Sequence, residues 1–161
     1  MLPSAREAVL ALKEHGLTVA TCESLTGGLI CATMVDVPGA SQVVRGGFIT
    51  YQTDTKTLLA GVDAALIADK GVVSAEVAKA MAEGTRARLG VDIAVSATGM
   101  ASPGESWEPP AGTVFVGVAS AHGTRAIPLK LSGSRAEVRQ QTVESAIGAI
   151  LAEAKEHTHE L

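Results

Sequence analysis

Aromatic side chains are scarce in this sequence, since Phe, Tyr and Trp together make up only 2% of its 161 residues. Basic residues are also outnumbered by acidic ones, 13 to 17, which gives a formal net charge of −4. Proteins that bind nucleic acid without sequence preference combine a basic surface with aromatic platforms for stacked bases. The composition therefore argues against a nucleic-acid partner, although a local cluster of cations can still bind a small anion.

Cysteines and long apolar runs are also few. The two cysteines, Cys22 and Cys31, have neither CxxC nor zinc-site spacing, and we interpret them as buried thiols, with a reactive Cys22 as the alternative. No apolar run reaches the ~18 residues of a membrane span, and the N-terminus does not have the basic and apolar regions of a signal peptide. These absences predict a cytoplasmic chain with no membrane partner.

The remaining composition is that of an ordinary globular protein, with 47% apolar and 19% charged residues. No repeat, linker or low-complexity tract divides the chain, so we expect a single domain over residues 1–161. The sequence does not determine the oligomeric state, and a homo-oligomer is compatible with it.

Apolar periodicity and turn residues predict five helical segments and five strands, with a loop over residues 100–112 and a frayed end over His157–Leu161. Ser4 with Glu7, and the Ser74 segment, have the pattern of helix capping boxes. The alternation predicts a three-layer α/β/α sandwich with a mixed sheet. The predicted helices are residues 3–15, Thr26–Val35, Thr55–Leu59, Ser74 to about Leu89 and Ser134 to about Lys155, and the predicted strands are Leu17–Cys22, Val43–Gln52, Asp92–Ala97, Thr113–Ser120 and Thr124–Leu131.

A glycine-rich turn marks the first candidate site. Thr21–Gly28 reads TCESLTGG and joins a predicted strand to a helix, so the hydroxyl of Ser24 lies at a strand end. Gly27 and Gly28 let the backbone turn sharply, and the helix start offers N–H groups and a positive dipole end to an anion. Thr26, Gly27 and Gly28 are therefore candidate substrate-binding residues, and Ser24 is a nucleophile or an N-cap.

A serine nucleophile needs a base, and the histidines do not supply one, because His122 lies at a predicted hairpin tip and the others adjoin a helix stop or lie in the tail. Lys56 is an alternative base, since a buried lysine loses its proton easily. The alternative without a catalytic role is that Lys56 is a surface lysine and that Tyr51 only packs against its neighbours. Ser41 is a rival nucleophile, or only a turn residue.

Two further features indicate a bound ligand. Thr98 and Gly99 begin a second turn at a strand end, TGMASPG, which forms a backbone cradle or a purely structural turn. Arg135 and Arg139 share one face at the start of the last helix, where cations oppose the helix dipole. An anionic substrate group would explain their position through bidentate contacts, although two solvated arginines remain the alternative.

Taken in order along the chain, several segments together resemble one family, the CinA C-terminal domain, which also occurs as stand-alone nicotinamide-nucleotide amidohydrolases. The resemblance covers nearly the whole chain without large insertions, which makes it more specific than any single segment. The matching segments are CESLTGG (22–28), DVPGAS (36–41), GGFITY (46–51) with Lys56, GV (61–62), GVVS (71–74), ATG (97–99), PAGTV (110–114) and GSR (133–135) with Arg139.

The resemblance implies deamidation of nicotinamide mononucleotide (NMN) to nicotinate mononucleotide and ammonia. It implies catalytic roles for Ser24, Tyr51 and Lys56, and no metal or other cofactor. In the mechanism we expect, Lys56 takes the proton of Ser24, directly or through Tyr51, while N–H groups near Gly27–Gly28 or Gly99 hold the oxyanion. Direct attack by water, with Ser24 only positioning the substrate, fits equally well.

The sequence departs from the family pattern in three places. Leu25 replaces a frequent cysteine, MASPG (100–104) replaces an IAGPG-like loop, and EPP (108–110) replaces EKP. The last two changes fall in the expected substrate loop and affect the expectation of substrate preference or activity. A nucleotide-binding module without turnover is therefore the alternative function. The larger N-terminal domain that often accompanies this family is absent, and we expect the small, stand-alone form.

Overall fold

The computed structural model describes residues 2–157, which form one five-stranded sheet covered by six helices. The strands are β1 Val19–Glu23, β2 Val44–Ile49, β3 Ile93–Gly99, β4 Thr113–Ser120 and β5 Gly123–Lys130. The helices are α1 Pro3–Glu14, α2 Leu29–Val35, α3 Thr53–Ala60, α4 Ala64–Lys70, α5 Ala75–Leu89 and α6 Arg135–Glu156.

The sheet is mixed and has the order β2-β1-β3-β4-β5. Strand β1 runs parallel to both of its neighbours, β2 and β3, whereas β4 runs antiparallel to both of its neighbours, β3 and β5. Helices α1, α2 and α6 contact one another over one face of the sheet, and α5 covers the other face with α3 and α4 against it. The predicted three-layer α/β/α sandwich is confirmed.

Alternate residues of the strands point to the two helical layers. Val19, Ile93 and Val95 lie in the larger core under α1 and α6, whereas Cys22 lies in a smaller core with Met81 of α5. Small aliphatic side chains dominate both cores, as the low aromatic content requires. The same alternation sends Glu23 toward α2 and the next residue, Ser24, toward α3.

One helix differs from the sequence prediction in its cap, and another in its first residue. Helix α1 begins at Pro3, a residue that suits the first helical position, so Ser4 lies inside the helix and the predicted capping box is wrong. Helix α2 begins at Leu29, because Gly27 and Gly28 adopt left-handed backbone angles, φ 59° and 103°. The segment after Ser24 is therefore a turn, and Ser24 is not an N-cap.

The segment around the candidate lysine also differs from the prediction. Strand β2 ends at Ile49, which leaves Tyr51 in the loop that follows, and α3 is longer than the predicted turn. Helix α4 was not predicted, although Asp63 caps it by accepting a hydrogen bond from Ala65 N at 2.9 Å. None of its residues is buried, so the helix carries little of the apolar periodicity that identifies helices.

Other predicted boundaries agree more closely. Ser74 caps α5 through Val77 N at 3.2 Å, without a glutamate to complete a box, and a full capping box lies instead at Ser134 and Glu137 of α6. Strands β4 and β5 form the predicted hairpin, but its turn is residues 121–122 rather than His122–Gly123, because Gly123 is the first residue of β5. His157 keeps helical backbone angles, and the rest of the predicted frayed end, 158–161, lies outside the described residues.

Across residues 2–157, we find no helix that is both long and apolar enough to span a membrane.

Candidate active site

A pocket of about 330 Å³ opens where the loops after β1, β2 and β3 meet. The helices that follow β1 and β2 lie on opposite faces of the sheet, and ligands of open α/β sheets bind at such crossover points. Main-chain bonds hold the three strand ends together: Ser24 N donates to Ala97 O at 3.0 Å, and Thr50 N donates to Glu23 O at 2.8 Å. Ser24 thus lies between the ends of β2 and β3.

Lys56 and Ser24 form a direct contact at the base of this pocket. The Lys56 ammonium nitrogen, Nζ, lies 3.0 Å from Ser24 Oγ and 2.6 Å from the Thr50 carbonyl oxygen. Lys56 is only 1% exposed and Ser24 8%, although both line the pocket. The helical turn from Thr53 to Lys56 carries the amine back over the end of β2. The structure therefore brings the predicted nucleophile and the predicted base into direct contact.

Burial decides the protonation of this lysine. It disfavours the ammonium form and lowers the pKa of Lys56 to about 8. The two oxygens that Nζ contacts are neutral, so neither contributes the full negative charge that would hold the proton on the amine. A substantial fraction of the amine is consequently neutral near physiological pH and able to accept a proton from Ser24.

Tyr51 contributes its backbone and its ring to different parts of the site. Its carbonyl oxygen lies 3.5 Å from Ser24 Oγ, whereas its phenol oxygen accepts a hydrogen bond from Arg135 Nη2 at 2.9 Å. The side chain is 58% exposed and points to the mouth of the pocket. A proton relay from Ser24 through Tyr51 to Lys56 is therefore not needed, because the amine reaches the serine directly.

Arg135 carries positive charge to the pocket mouth. Besides Tyr51, its guanidinium donates to Ser102 Oγ at 3.1 Å. Both partners are neutral oxygens, so these contacts orient the guanidinium without neutralising it. The predicted cradle after β3 lines the same pocket, and Glu108 adds a carboxylate to its wall. Met100 and Ser102, two of the loop residues that depart from the family pattern, therefore line the candidate pocket.

Arg139 does not line this pocket, unlike Arg135. Its Nε donates to Leu25 O at 2.9 Å and its Nη2 to Thr26 O at 3.2 Å. Arg139 thus ties α6 to the backbone directly after Ser24. It is a positioning residue rather than the phosphate ligand that the sequence suggested.

The start of α2 is filled by the chain's own carboxylate. Glu23, almost fully buried, accepts hydrogen bonds from Ile30 N at 2.8 Å and Cys31 N at 3.0 Å. A negative group is already in the place where the sequence predicted a bound anion, so that expectation is corrected. Thr26, Gly27 and Gly28 do not line the pocket, and Thr26 is completely buried.

Neither of the two rival nucleophiles lines the pocket. Ser41 is exposed in a short 3-10 turn, Ala40–Gln42, and does not line the pocket. Cys22 is fully buried in the smaller core. This burial raises the pKa of its thiol, which favours the unreactive protonated form. The geometry therefore favours Ser24 over both.

Thr98 and Gly99 lie at the end of β3 and line the pocket wall. Thr98 Oγ1 donates to Val72 O at 2.9 Å, which ties the strand end to the segment before α5. A Cβ on Gly99 would lie 2.6 Å from Val114 Cγ2 and 2.8 Å from Thr113 O, so β3 and β4 require a glycine there. Both residues shape the pocket, and Gly99 does so for a structural reason.

The sequence interpretation did not identify several contributors to this site. They are Glu23 as the anchor of α2, the Thr50 carbonyl that orients Lys56, and the wall residues Thr53 and Val72. Every residue has a backbone carbonyl, so the residue type at position 50 does not reveal the role of its carbonyl. The role of Glu23 depends on a helix that begins six residues later in the sequence. Val72 lies within a segment that carried the family resemblance, which was the one available indication.

Comparisons with known proteins agree with this architecture. A crystal structure of a competence/damage inducible protein from Agrobacterium tumefaciens superposes with a TM-score of 0.89 at 35% identity, covering 92% of each chain. A CinA superfamily protein from Klebsiella pneumoniae gives a TM-score of 0.91 at 25% identity, covering 95% of this chain and 96% of that one.

Sequence relatives are longer proteins. The chain is 40% identical over 139 residues to a CinA-like protein of Frankia casuarinae, and 44% identical over 142 residues to a putative competence-damage inducible protein of Limosilactobacillus fermentum. These matches cover 86% and 87% of this chain but only 32% and 34% of the relatives, so the chain spans about a third of their length. A family model described as the CinA C-terminal domain matches residues 2–154. The chain belongs to the CinA C-terminal domain family.

Proposed function

We propose that this chain is a cytoplasmic amidohydrolase that converts NMN to nicotinate mononucleotide and ammonia. The observation that carries the proposal is the 3.0 Å contact between Lys56 Nζ and Ser24 Oγ at the base of a pocket. A buried serine–lysine pair supplies the nucleophile and the base that hydrolysis of a carboxamide requires. Membership of the CinA family supports the same activity through the resemblance described above.

In the first half of the reaction, the neutral amine of Lys56 takes the proton of Ser24 as Oγ attacks the carboxamide carbon. The resulting ammonium returns that proton to the amide nitrogen, and ammonia leaves as the C–N bond breaks. The product of this half is an ester between Ser24 and the nicotinoyl group. Backbone N–H groups near the end of β3 are the candidates for holding the oxyanion.

In the second half, water hydrolyses the ester. Lys56 takes a proton from the attacking water, the ester bond breaks and Ser24 regains its proton, which leaves the carboxylate product. Direct attack by water on the amide uses the same base without the ester, and Ser24 then only positions the substrate. Trapping the ester with hydroxylamine distinguishes the two routes.

Arg135 is our candidate for the 5′-phosphate. Its contacts to Ser102 and Tyr51 hold the guanidinium in the same pocket that Ser24 lines, where it can bind a phosphate of a substrate held against Ser24. The pocket of about 330 Å³ lies at the lower end of the ~300–1,000 Å³ range of small-molecule sites. Glu108 on the same wall disfavours additional phosphate groups, which is consistent with a mononucleotide.

A nucleotide-binding module without turnover is the second candidate. It is favoured by Met100 and Ser102, two residues of the pocket wall that depart from the family pattern, because these would contact the substrate. Such a module would bind NMN through Arg135 and would leave the amide intact.

Ammonia release separates the two candidates. Purified protein is incubated with NMN, and ammonia and nicotinate mononucleotide are both measured, with Lys56→Met as a folded, inactive control. Equal amounts of the two products from wild-type protein alone support the amidohydrolase. Saturable NMN binding with no ammonia above the Lys56→Met background supports the module and overturns our proposal.

A further inference from the structure

A second cluster of polar side chains lies at the end of the sheet opposite the pocket. His122 is in the β4–β5 turn, and Glu153 and His157 are at the end of α6. One ligand atom from each of the three lies within 4.8 Å of the others. Glu153 follows Arg135 by 18 residues of continuous helix, which corresponds to about 27 Å at 1.5 Å per residue. The cluster is therefore remote from the candidate active site.

The backbone brings these ligands together from two elements. Glu153 and His157 are four residues apart, so they lie on one face of the helix, a spacing that metal-binding helices use. His122 approaches from the hairpin, with its Nδ1 3.4 Å from Glu153 Oε1. The rings of His122 and His157 lie with their centroids 4.4 Å apart. Two imidazoles and a carboxylate thus converge on one point.

The hydrogen bonds around the cluster orient its ligand atoms. His157 Nδ1 lies 2.9 Å from the Glu153 carbonyl oxygen, which can only accept, so Nδ1 carries the proton and the lone pair of the neutral ring is on Nε2. Metal-binding histidines characteristically donate their other ring N–H to a carbonyl or carboxylate in this way. The Ser120 hydroxyl also donates to Glu153 Oε1 and fixes the carboxylate.

Arg125 is the feature that opposes a cation. Its Nη2 lies 3.5 Å from Glu153 Oε2, the oxygen on the other side of the carboxylate from His122. The Arg125 side chain is about half exposed, so it can move into solvent when a second positive charge binds. Its presence lowers the affinity expected of the site without blocking it.

We propose that His122, Glu153 and His157 bind one divalent transition-metal ion of the Zn²⁺ class. Imidazole nitrogen and carboxylate oxygen are the ligands that Zn²⁺ accepts, and water would complete a tetrahedral set. Ligand atoms about 2.0 Å from a tetrahedral ion are ~3.3 Å apart, so separations of up to 4.8 Å close through small side-chain rotations. The ion joins the β4–β5 hairpin to the end of α6 and has a structural role.

The test is metal binding by the untagged full chain after removal of metal. Zn²⁺ is titrated by calorimetry, and Co²⁺ by its visible absorption, which reports tetrahedral nitrogen and oxygen ligands. We expect one ion per chain, and a loss of affinity of at least about tenfold in His122→Ala and in His157→Ala. His15→Ala and Cys31→Ser are matched controls that remove other metal-binding side chains, and both should bind as the wild type does.

Arg125→Gln provides a gain-of-affinity arm, because removing the opposing charge should tighten Zn²⁺ binding. The proposal is overturned if wild-type protein takes up no Zn²⁺ or Co²⁺, or if His122→Ala and His157→Ala bind like the wild type. It is also overturned if His159→Ala abolishes binding while His122→Ala does not, since the ion would then be bound by the chain end. His122 lies in an exposed turn, so its variant should fold and keep the test decisive.

Discussion

Burial of the Lys56 side chain is energetically unfavourable when the amine is charged. Its ammonium group contacts two neutral oxygens, Ser24 Oγ and Thr50 O, and desolvation of an incompletely neutralised charge normally destabilises a fold. No carboxylate takes part in those contacts, and burial therefore lowers the pKa of the amine to about 8. Perturbed pKa values of this kind are concentrated at functional sites, which supports the role that we propose for the lysine.

If Ser24 and Lys56 act as one unit, their removal should be strongly non-additive. Either Ser24→Ala or Lys56→Ala should lower kcat by about 10²–10⁴, and the double variant should be about as slow as either single one. Lys56→Arg should not restore turnover, because a guanidinium does not release its proton near neutral pH. The measurement is kcat for NMN deamidation in the wild type and in these four variants.

Ser41→Ala is the matched control for this experiment, since Ser41 is exposed in a turn and does not line the pocket. It should cost less than about tenfold in kcat. Near-normal turnover in Ser24→Ala together with an inactive Ser41→Ala would show that Ser41, and not Ser24, is the nucleophile.

The pKa of Lys56 predicts the pH dependence of the reaction. Below pH 8 the amine is mostly protonated and cannot accept the proton of Ser24, so kcat/KM should fall about tenfold for each pH unit. Above pH 8 it should level off. A profile of kcat/KM for NMN over pH 6 to 10 provides the measurement, with Ser41→Ala expected to keep the same midpoint. A rate that rises toward acidic pH would exclude Lys56 as the base.

Arg135 should determine the preference for a phosphorylated substrate. Wild-type protein should hydrolyse NMN much faster than nicotinamide riboside, and Arg135→Ala should lower kcat/KM for NMN by about 10- to 100-fold, the equivalent of a charge-assisted hydrogen bond. The same variant should change the rate with the riboside little. Equal kcat/KM for the two substrates in wild-type protein would refute a phosphate site.

At the scale of elements, two clamps hold the turn that carries Ser24. Glu23 binds the start of α2 from beneath through two main-chain N–H groups, and Arg139 reaches from α6 to the carbonyls of Leu25 and Thr26. Helix α6 also carries Arg135, so one helix connects the candidate phosphate ligand to the backbone next to the nucleophile. Such fixed geometry is what pre-organised catalysis requires.

Removing the Arg139 clamp should affect turnover more than binding. Arg139→Ala removes the donor to Leu25 O and one of the two donors to Thr26 O, which Leu29 N also contacts, and it loosens the backbone next to Ser24. We therefore expect kcat for NMN to fall about tenfold or more with little change in KM. Arg135→Ala is the natural comparison, since it should act mainly on NMN affinity. The opposite pattern, a raised KM with unchanged kcat in Arg139→Ala, would show that Arg139 binds substrate.

The elements also show where sequence interpretation is reliable. The apolar run of β3 was predicted well, and the β4–β5 hairpin was predicted with its turn shifted by one residue, because burial on both faces and turn residues leave direct signals in the sequence. Helix α4 was missed because none of its residues is buried. The box predicted at Ser4 was wrong because the helix begins at Pro3 and Ser4 lies inside it, while the box at Ser134 and Glu137 was present but not recognised.

The candidate site shows a similar division. Ser24, Lys56 and Arg135 could be named from strand ends and residue chemistry, and they do line one pocket. The arrangement around the start of α2 could not be predicted from the sequence, because the same glycine-rich turn is compatible with a bound phosphate or with an internal carboxylate. Only packing shows that Glu23 is folded back under the helix, and only packing separates the role of Arg139 from that of Arg135.

At the scale of the whole molecule, the sheet has two functionally distinct ends. The carboxyl ends of β1, β2 and β3 form the candidate active site, and the opposite end carries the histidines and the glutamate that join the hairpin to α6. Long strands and the continuous helix α6 separate the two by about 27 Å. A ligand at one end therefore has no direct contact with groups at the other.

This separation predicts that chelation will leave catalysis unchanged. The proposed chemistry uses a hydroxyl and an amine, so protein treated with EDTA and freed of metal should keep the kcat and KM for NMN of untreated protein. The thermal midpoint is measured on the same samples, and Zn²⁺ added back should raise it in the wild type but not in His122→Ala. Activity that is lost on chelation and restored by zinc in both proteins would place a metal in the reaction itself. The serine–lysine mechanism would then have to be abandoned, whereas a change in thermal midpoint alone would leave it intact.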